Sequence, residues 1–232
     1  MVKKKTFCAF IMILILGVFL WAGDTAVFVD LGFSPDGRIY MFGQYGVESG
    51  SLKPWAELFA VDVPKNNFVA NGKVSYVHNR PVAAGQDGSG ALFKIIAGNA
   101  ALAGRYNIDY CFQGQSLYID LNGQGTAPGE SIEFRDFESG ASYRASLVSS
   151  VEGEGENLKS SFYIELERTG KTGARKAYTV GNPQIKRPLV ASYRIRKVII
   201  APQDGSMILV IEMKKQNGAG FDIRYMVEAL QL

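Results

Sequence analysis

The sequence predicts a mainly β fold, antiparallel blade-like or sandwich-like sheets with one central α-helix, and three observations carry that expectation. Short segments alternate apolar and polar residues at period two. Gly, Asp and Pro punctuate those segments where tight turns belong. A plan of strand, turn, strand, loop and strand recurs three times along the chain.

The first element is set apart from the rest. Lys3, Lys4 and Lys5 precede an almost wholly apolar run from Phe7 to Trp21, and Ala22-Gly23 supplies small residues for cleavage. That order is a secretory signal peptide over residues 1–22, cut after Ala22, and the run is short for a membrane span. An uncleaved N-terminal anchor is the competing reading. Cys8 lies near the start of the apolar run, not just past its end, which disfavours a lipoprotein. Residues 23–232 then form a single β-rich domain.

Its first repeat has a strand over Val27 to Phe33, the turn Ser34-Pro35-Asp36-Gly37, a strand over Arg38 to Gln44, a polar loop, and a strand over Glu57 to Val63. Pro64-Lys65-Asn66-Asn67 is the turn that follows. From Asp87-Gly88-Ser89 the period changes: Leu92, Ile95, Ile96, Leu102 and Ala103 recur at helical spacing, predicting one helix over Gly90 to Ala103. Ser89 or Asp87 is placed to cap it and Gly104 to end it, with Gly98 and Asn99 weakening its interior. Gly114 to Gly129 reads as strand plus long loop.

The second copy runs Ile132 to Phe137, Glu138-Ser139-Gly140, Ser142 to Val151, a loop to Asn157, and Lys159 to Arg168. The third runs Arg196 to Ile200, Pro202-Gln203-Asp204-Gly205, Met207 to Lys214, a Gly-rich loop, and Phe221 to Leu230. Asp36 and Asp204 read as turn-capping carboxylates, with Gly closing each turn at positive φ. Alternation assigns faces: Phe162, Ile164 and Leu166 to a core against Tyr163, Glu165 and Glu167. It groups Tyr193, Ile195 and Ile199 against Arg194, Arg196 and Val198. It also sets Phe221, Ile223, Tyr225 and Val227 against Asp222, Arg224, Met226 and Glu228.

Two resemblances follow from these motifs. Phe33-Ser34-Pro35-Asp36-Gly37-Arg38 with Glu57 to Val63 resembles one repeat of a TolB-type β-propeller. A longer likeness uses Val29 to Gly37, the Ala/Leu-rich helix and Ile223-Arg224-Tyr225-Met226-Val227-Glu228. It is to a bacterial family of predicted secreted proteins, a domain of unknown function. That resemblance implies export and no particular chemistry. A propeller ring needs four or more blades, and three units are legible here.

Composition bounds function. The chain holds 25 Lys+Arg against 22 Asp+Glu, and residues 1–22 contain three of the lysines and no acid. The mature domain is therefore 22 against 22, formally neutral, and has no overall electrostatic case for nucleic acid. Of two cysteines only Cys111 stays, so the mature chain forms no internal disulfide. A domain of 232 − 22 = 210 residues stands on its core without one.

No assembled catalytic site is legible in the sequence. His78 is the sole histidine, reads as a solvated strand end, and leaves a histidine zinc site without ligands. No G-x-S-x-G elbow is present. Cys111 among Ile108, Tyr110 and Phe112 reads as a buried inert thiol. Gly170-Lys171-Thr172 lacks the phosphate-loop glycine and context. Asp120 to Gly125 partly imitates a calcium loop but has Ser131 where the bidentate Glu belongs. Glu152, Glu154 and Glu156 read as a solvated hairpin tip. Tyr40, Tyr45 and Trp55 read first as sheet aromatics, and second as a sugar or peptide site.

The functional expectation is an uncharacterised exported protein, periplasmic or extracellular. It reads as a non-enzymatic envelope binding or scaffold module with a protein or glycan partner. No catalytic, cofactor or metal residue is assigned, no nucleic acid is expected, and a membrane only if the signal peptide is uncleaved. The alternatives are a carboxylate-dependent glycan hydrolase and a signal-anchored subunit of an envelope complex.

Overall fold

The structure is a computed structural model. It describes residues 23–83, 85–121, 129, 131–201, 203–218 and 220–232, so the segment read as a signal peptide lies outside the described residues. Each of the three repeated plans becomes the heart of its own antiparallel sheet. Sheet I is a meander of β1 (Val27–Phe33), β2 (Ile39–Val47), β3 (Pro54–Asp62) and β4 (Asn67–Val77). Sheet III begins with β5 (Gln115–Ile119) at one edge and is completed at the C-terminus. Sheet II runs from β6 (Ser131–Arg135) to β7 (Ser142–Glu152) and β8 (Lys159–Thr169). The short strands β9 (Arg175–Gly181) and β10 (Arg187–Pro188) share the free edge of β8. The rest of sheet III is β11 (Val190–Ile200), beside β5, then β12 (Met207–Asn217) and the outer strand β13 (Gly220–Leu230).

The turns have the expected chemistry. Asp36 Oδ1 accepts from Ser34 Oγ at 2.6 Å and from the Arg38 N–H at 3.2 Å. Asp204 Oδ1 accepts the Ser206 N–H at 2.9 Å. In the middle copy the capping acid is Asp136, which accepts the Glu138 N–H at 2.9 Å. Gly37, Gly140 and Gly205 close the three turns at φ 72°, 74° and 71°, a region that costs a side-chain-bearing residue energy.

The sheets stack as layers with sheet III in the middle. Phe33, Tyr40, Phe42, Phe59 and Val61 of sheet I meet Ile199, Ile208, Val210, Val227 and Ala229 of sheet III. The opposite face of sheet III, with Tyr193, Ile195, Val198, Leu209 and Ile211, meets Tyr143, Leu147, Phe162, Ile164 and Leu166 of sheet II. Residues Met207 to Ile211 are consequently buried one after another, odd positions toward sheet II and even ones toward sheet I. The outer face of sheet I is covered in turn by helices, through Leu31, Met41, Ala56 and Leu58 against Ala91, Leu92 and Ile95.

The helical segment is present as two short helices, α1 (Ser89–Gly98) and α2 (Ala100–Arg105). The break falls at Asn99 (φ −121°), whose side-chain amide donates to the Ile95 carbonyl at 2.8 Å. An Asn that bonds the preceding turn competes with helix continuation, and Gly98 beside it removes the propensity to resist. Asp87 Oδ1 takes the Ser89 N–H at 3.0 Å, while neither side chain caps the helix itself.

Two face assignments change. A bulge in β11 between Ile195 and Lys197 shifts the phase, so Val198 joins Tyr193 and Ile195 while Ile199 turns to sheet I. In β13, Asp222 and Glu228 are buried whereas Phe221 is 41% exposed. The strand lies between two layers, so its polar face is enclosed as well. Cys111 is exposed, not buried. It sits in a turn where its own N–H bonds Asp109 Oδ1 at 2.8 Å, and this non-strand geometry points the thiol outward.

Asp30 on β1 faces Lys197 at the β11 bulge, Oδ2 to Nζ 3.9 Å, across the layer boundary. Burial pushes the Asp30 carboxyl up to about 6, against the opposing pull of the Gly32 N–H and Lys197.

Two outcomes are expected. Leu209→Ala, opening a cavity in the doubly covered strand, lowers urea-derived stability by about 3 kcal/mol, whereas Phe137→Ser at an 81% exposed position changes it by less than about 0.5 kcal/mol. Because the folded carboxyl of Asp30 holds its proton longer than the unfolded one, its contribution falls as pH rises from 3.8 to about 6. The stability difference between Asp30→Asn and the parent chain should therefore grow in favour of the variant across that window and level off above it. Denaturant titrations at half-unit pH steps read this directly.

Candidate functional site

β13 is an outer strand, and an outer strand presents alternate backbone N–H and C=O groups that must find partners. Here the outward positions are Ile223, Tyr225, Val227 and Ala229. The Ile223 N–H bonds the Asp24 carbonyl at 2.8 Å and its own carbonyl accepts the Ala26 N–H at 3.1 Å. The segment before β1 thus lies parallel to β13 through Thr25. Farther along, side-chain amides from sheet I take over. Gln44 Oε1 accepts the Tyr225 N–H at 2.7 Å and Asn66 Oδ1 accepts the Ala229 N–H at 2.7 Å.

Both amides are held in place from behind. Gln44, 1% exposed, donates through Nε2 to Glu57 Oε2 at 2.7 Å. Asn66 occupies the left-handed region at φ 47° in the β3–β4 turn, a conformation Asn tolerates, and its Nδ2 donates to Glu228 Oε2. Glu228 Oε1 faces Arg187 at 3.7 Å. The Arg187 guanidinium lies 4.8 Å from the centre of the Phe162 ring and 5.9 Å from that of Tyr193. Burial raises the Glu228 carboxyl above its usual range, with Asn66 and Arg187 opposing.

A cleft of about 750 Å³ opens over this edge. Sheet I supplies Phe59, Val61, Phe68 and Lys73, the β9–β10 connection supplies Asn182 and Ile185, and sheet III supplies Met213, Lys215 and Val227. The volume is in the range of ordinary ligand sites, and polar and apolar side chains share the walls about equally. Five basic side chains line it, Lys65, Lys73, Arg187, Lys215 and Arg224, against two acids, Glu57 and Glu228. Lys65 pairs with Asp62, Arg187 with Glu228, and Arg224 with Asp24 and Asp222. Among the described residues Lys73 and Lys215 have no acidic partner.

One end of the cleft is closed by the N-terminal clamp. Asp24 Oδ2 accepts from Arg224 at 2.9 Å and from the Trp55 indole N–H, while Arg224 stacks 4.1 Å over the Trp55 ring. The Asp24 N–H returns a bond to Asp222 Oδ1 at 2.9 Å. Burial raises the Asp24 carboxyl despite Arg224.

The residues singled out from sequence are dispersed. Tyr40 is enclosed between sheets I and III, Tyr45 packs toward the helices, and Trp55 belongs to the clamp. His78 follows β4, with Nδ1 2.8 Å from Tyr76 Oη. Asp120 pairs with Arg196 at 2.9 Å, and the rest of the calcium-like stretch, 122–125, lies outside the described residues. Among the described residues no three His, Cys, Asp or Glu side chains converge as a metal site. Gly170 sits in the β8–β9 hairpin, its N–H on the Ala174 carbonyl at 2.8 Å.

No sequence pattern marks Gln44, Asn66, Arg187 or Glu228 as site residues. Asn66 and Glu228 meet across 162 positions, and no local pattern signals that contact. The one available hint was an acid in a strand whose other residues are apolar or paired.

The family model described as a predicted secreted protein matches residues 41–231, which includes the cleft. The chain belongs to the DUF2259 family. The match carries nothing further for the TolB-type likeness of Phe33 to Val63. No curated protein and no solved structure matches the chain. No helix among the described residues is long and apolar enough to cross a membrane.

Removing one partner of the enclosed Glu228 group should cost more than neutralising it. Glu228→Ala leaves Asn66 and Arg187 unpaired and is expected to lose about 2–4 kcal/mol, whereas Glu228→Gln keeps a hydrogen-bonding shape and loses about 1 kcal/mol or less. Equilibrium denaturation of the two variants at neutral pH separates these outcomes.

Proposed function

We propose that this DUF2259 protein is an exported binding module, acting in the periplasm or outside the cell, whose ligand site is the cleft at the β13 edge. The observation that carries the reading is a concave cleft of mixed polar and apolar lining shared by three sheets, in which Lys73 and Lys215 have no acidic partner among the described residues. Exposed lysines lining a cleft favour a ligand with negative charge. The envelope offers both protein and glycan partners.

Two carboxylates line the same cleft, which is the feature a glycan hydrolase would need. Their surroundings favour structural roles. Glu228 is 5% exposed with one oxygen on Asn66 and the other facing Arg187, and Glu57 holds Gln44. A general acid or base must reach substrate, and these carboxylates face inward to the protein's own amides.

A photoreactive amino acid placed at Phe68 in the full-length exported protein tests the reading, with Phe137 in the β6–β7 turn as the distant control. The expected result is a discrete adduct at Phe68, absent at Phe137 and lost when Lys73→Glu and Lys215→Glu are combined. No adduct at Phe68, or the same adducts at both positions, would overturn the cleft as the ligand site.

A further inference from the structure

We infer that the ligand of this cleft is an extended, acidic peptide segment that pairs a single residue, strand-fashion, with the backbone of Val227 between Gln44 and Asn66. The inference rests on the reading of the cleft as a ligand site and names what fills it.

The outward backbone groups of β13 are mostly taken. The Ile223 N–H is taken by Asp24, the Tyr225 N–H by Gln44 and the Ala229 N–H by Asn66. Pairing with β12 alternates along β13, so Val227 shares the outward direction of these three. Among the described residues nothing takes the outward N–H of Val227. Val227 is also one of the residues lining the cleft. An open N–H and C=O on one edge residue are the two groups that a residue of an incoming strand engages together.

The flanking amides make the slot selective. Gln44 and Asn66 hold the edge positions on either side of Val227 with side-chain groups that imitate a neighbouring strand. A guest therefore has one residue to pair with, and its register is fixed by these two stops. Side chains of a strand alternate, so one side of the guest meets Phe59, Phe68 and Val61 of sheet I and the other meets Ile185 and Met226. Lys73 stands on the sheet I side and Lys215 on the sheet III side, which sets the acidic preference. A small amphiphile with a carboxylate would use the lysines and the apolar walls but would leave the Val227 backbone groups idle.

The probe is a terminally blocked decapeptide of repeating Val-Val-Glu-Glu, which puts both residue types on each side of the strand, titrated onto the full protein, with residue-resolved amide hydrogen exchange as the readout. Exchange at Val227 should slow at least tenfold, while Ile223 and Ala229, already bonded, change less than twofold. The same peptide N-methylated at every peptide bond keeps its side chains and loses its donors; it should bind at least tenfold more weakly. A Val–Lys decapeptide of the same repeat should also bind at least tenfold more weakly, and the Lys73→Glu plus Lys215→Glu variant should reverse that preference. Absence of protection at Val227, or equal protection by the N-methylated peptide or by laurate, overturns the pairing with Val227. Equal binding of the Val–Lys peptide overturns the acidic class. If Phe68 still yields a discrete non-peptide adduct, the cleft remains a ligand site and only the pairing with Val227 falls; if Phe68 yields none, both fall.

Discussion

The fold hangs on the double burial of one strand. Met207 to Ile211 of β12 present alternate side chains to two different sheets, and sheet III is the layer through which sheets I and II are joined into one core. Burying an apolar side chain on each face contributes about 1.5–3 kcal/mol per residue, so this short segment concentrates more stabilisation than any one-sided strand of equal length. The same arrangement creates the cleft. With a sheet packed on each side, the outer strand β13 is flanked by overhanging walls, and its backbone groups must be satisfied from those walls instead of by open water. Gln44 and Asn66 do that from sheet I.

What the sequence revealed followed how many neighbours each strand has. Sheet II has one covered face, and there alternation assigned Phe162, Ile164 and Leu166 correctly, with Glu165 and Glu167 outside. In β13 both faces are covered, so the polar set of Asp222 and Glu228 was placed in water when it is enclosed. The unbroken apolar run of β12 was a visible sign of two-sided burial. The β11 bulge at Arg196 has no such sign, because a single extra residue inverts the phase without altering composition, and Val198 and Ile199 exchanged sides for that reason. The three repeated plans were legible as units because turn chemistry is local. Their stacking order was not, since it depends on contacts between residues far apart in the chain.

The cleft shows the same division. Asn66 belonged to a turn recognisable from Pro64 to Asn67, yet its function as a strand mimic depends on β13 lying beside it. Formal neutrality of residues 23–232 conceals a local imbalance: acids elsewhere offset the lysines at the cleft. Net charge therefore says nothing about a local basic edge such as the one that Lys73 and Lys215 form at the cleft. The three lysines of residues 1–22 equal the whole excess of basic over acidic residues in the chain.

The N-terminal clamp has a consequence for the order of events after synthesis. Asp24 and Thr25 reach Arg224 and Ile223, nearly two hundred positions away, and β11, β12 and β13 are the last strands to be made. Until they emerge, sheets I and II lack the layer that joins them, and the first residues of the domain have nothing to grip. A growing chain is left without its middle until its final stretch is complete, and long-range pairing of this kind forms slowly. Sheets I and II are thus built first and held apart, and the tail of the chain is what fastens the whole molecule at both its inner layer and its outer strand.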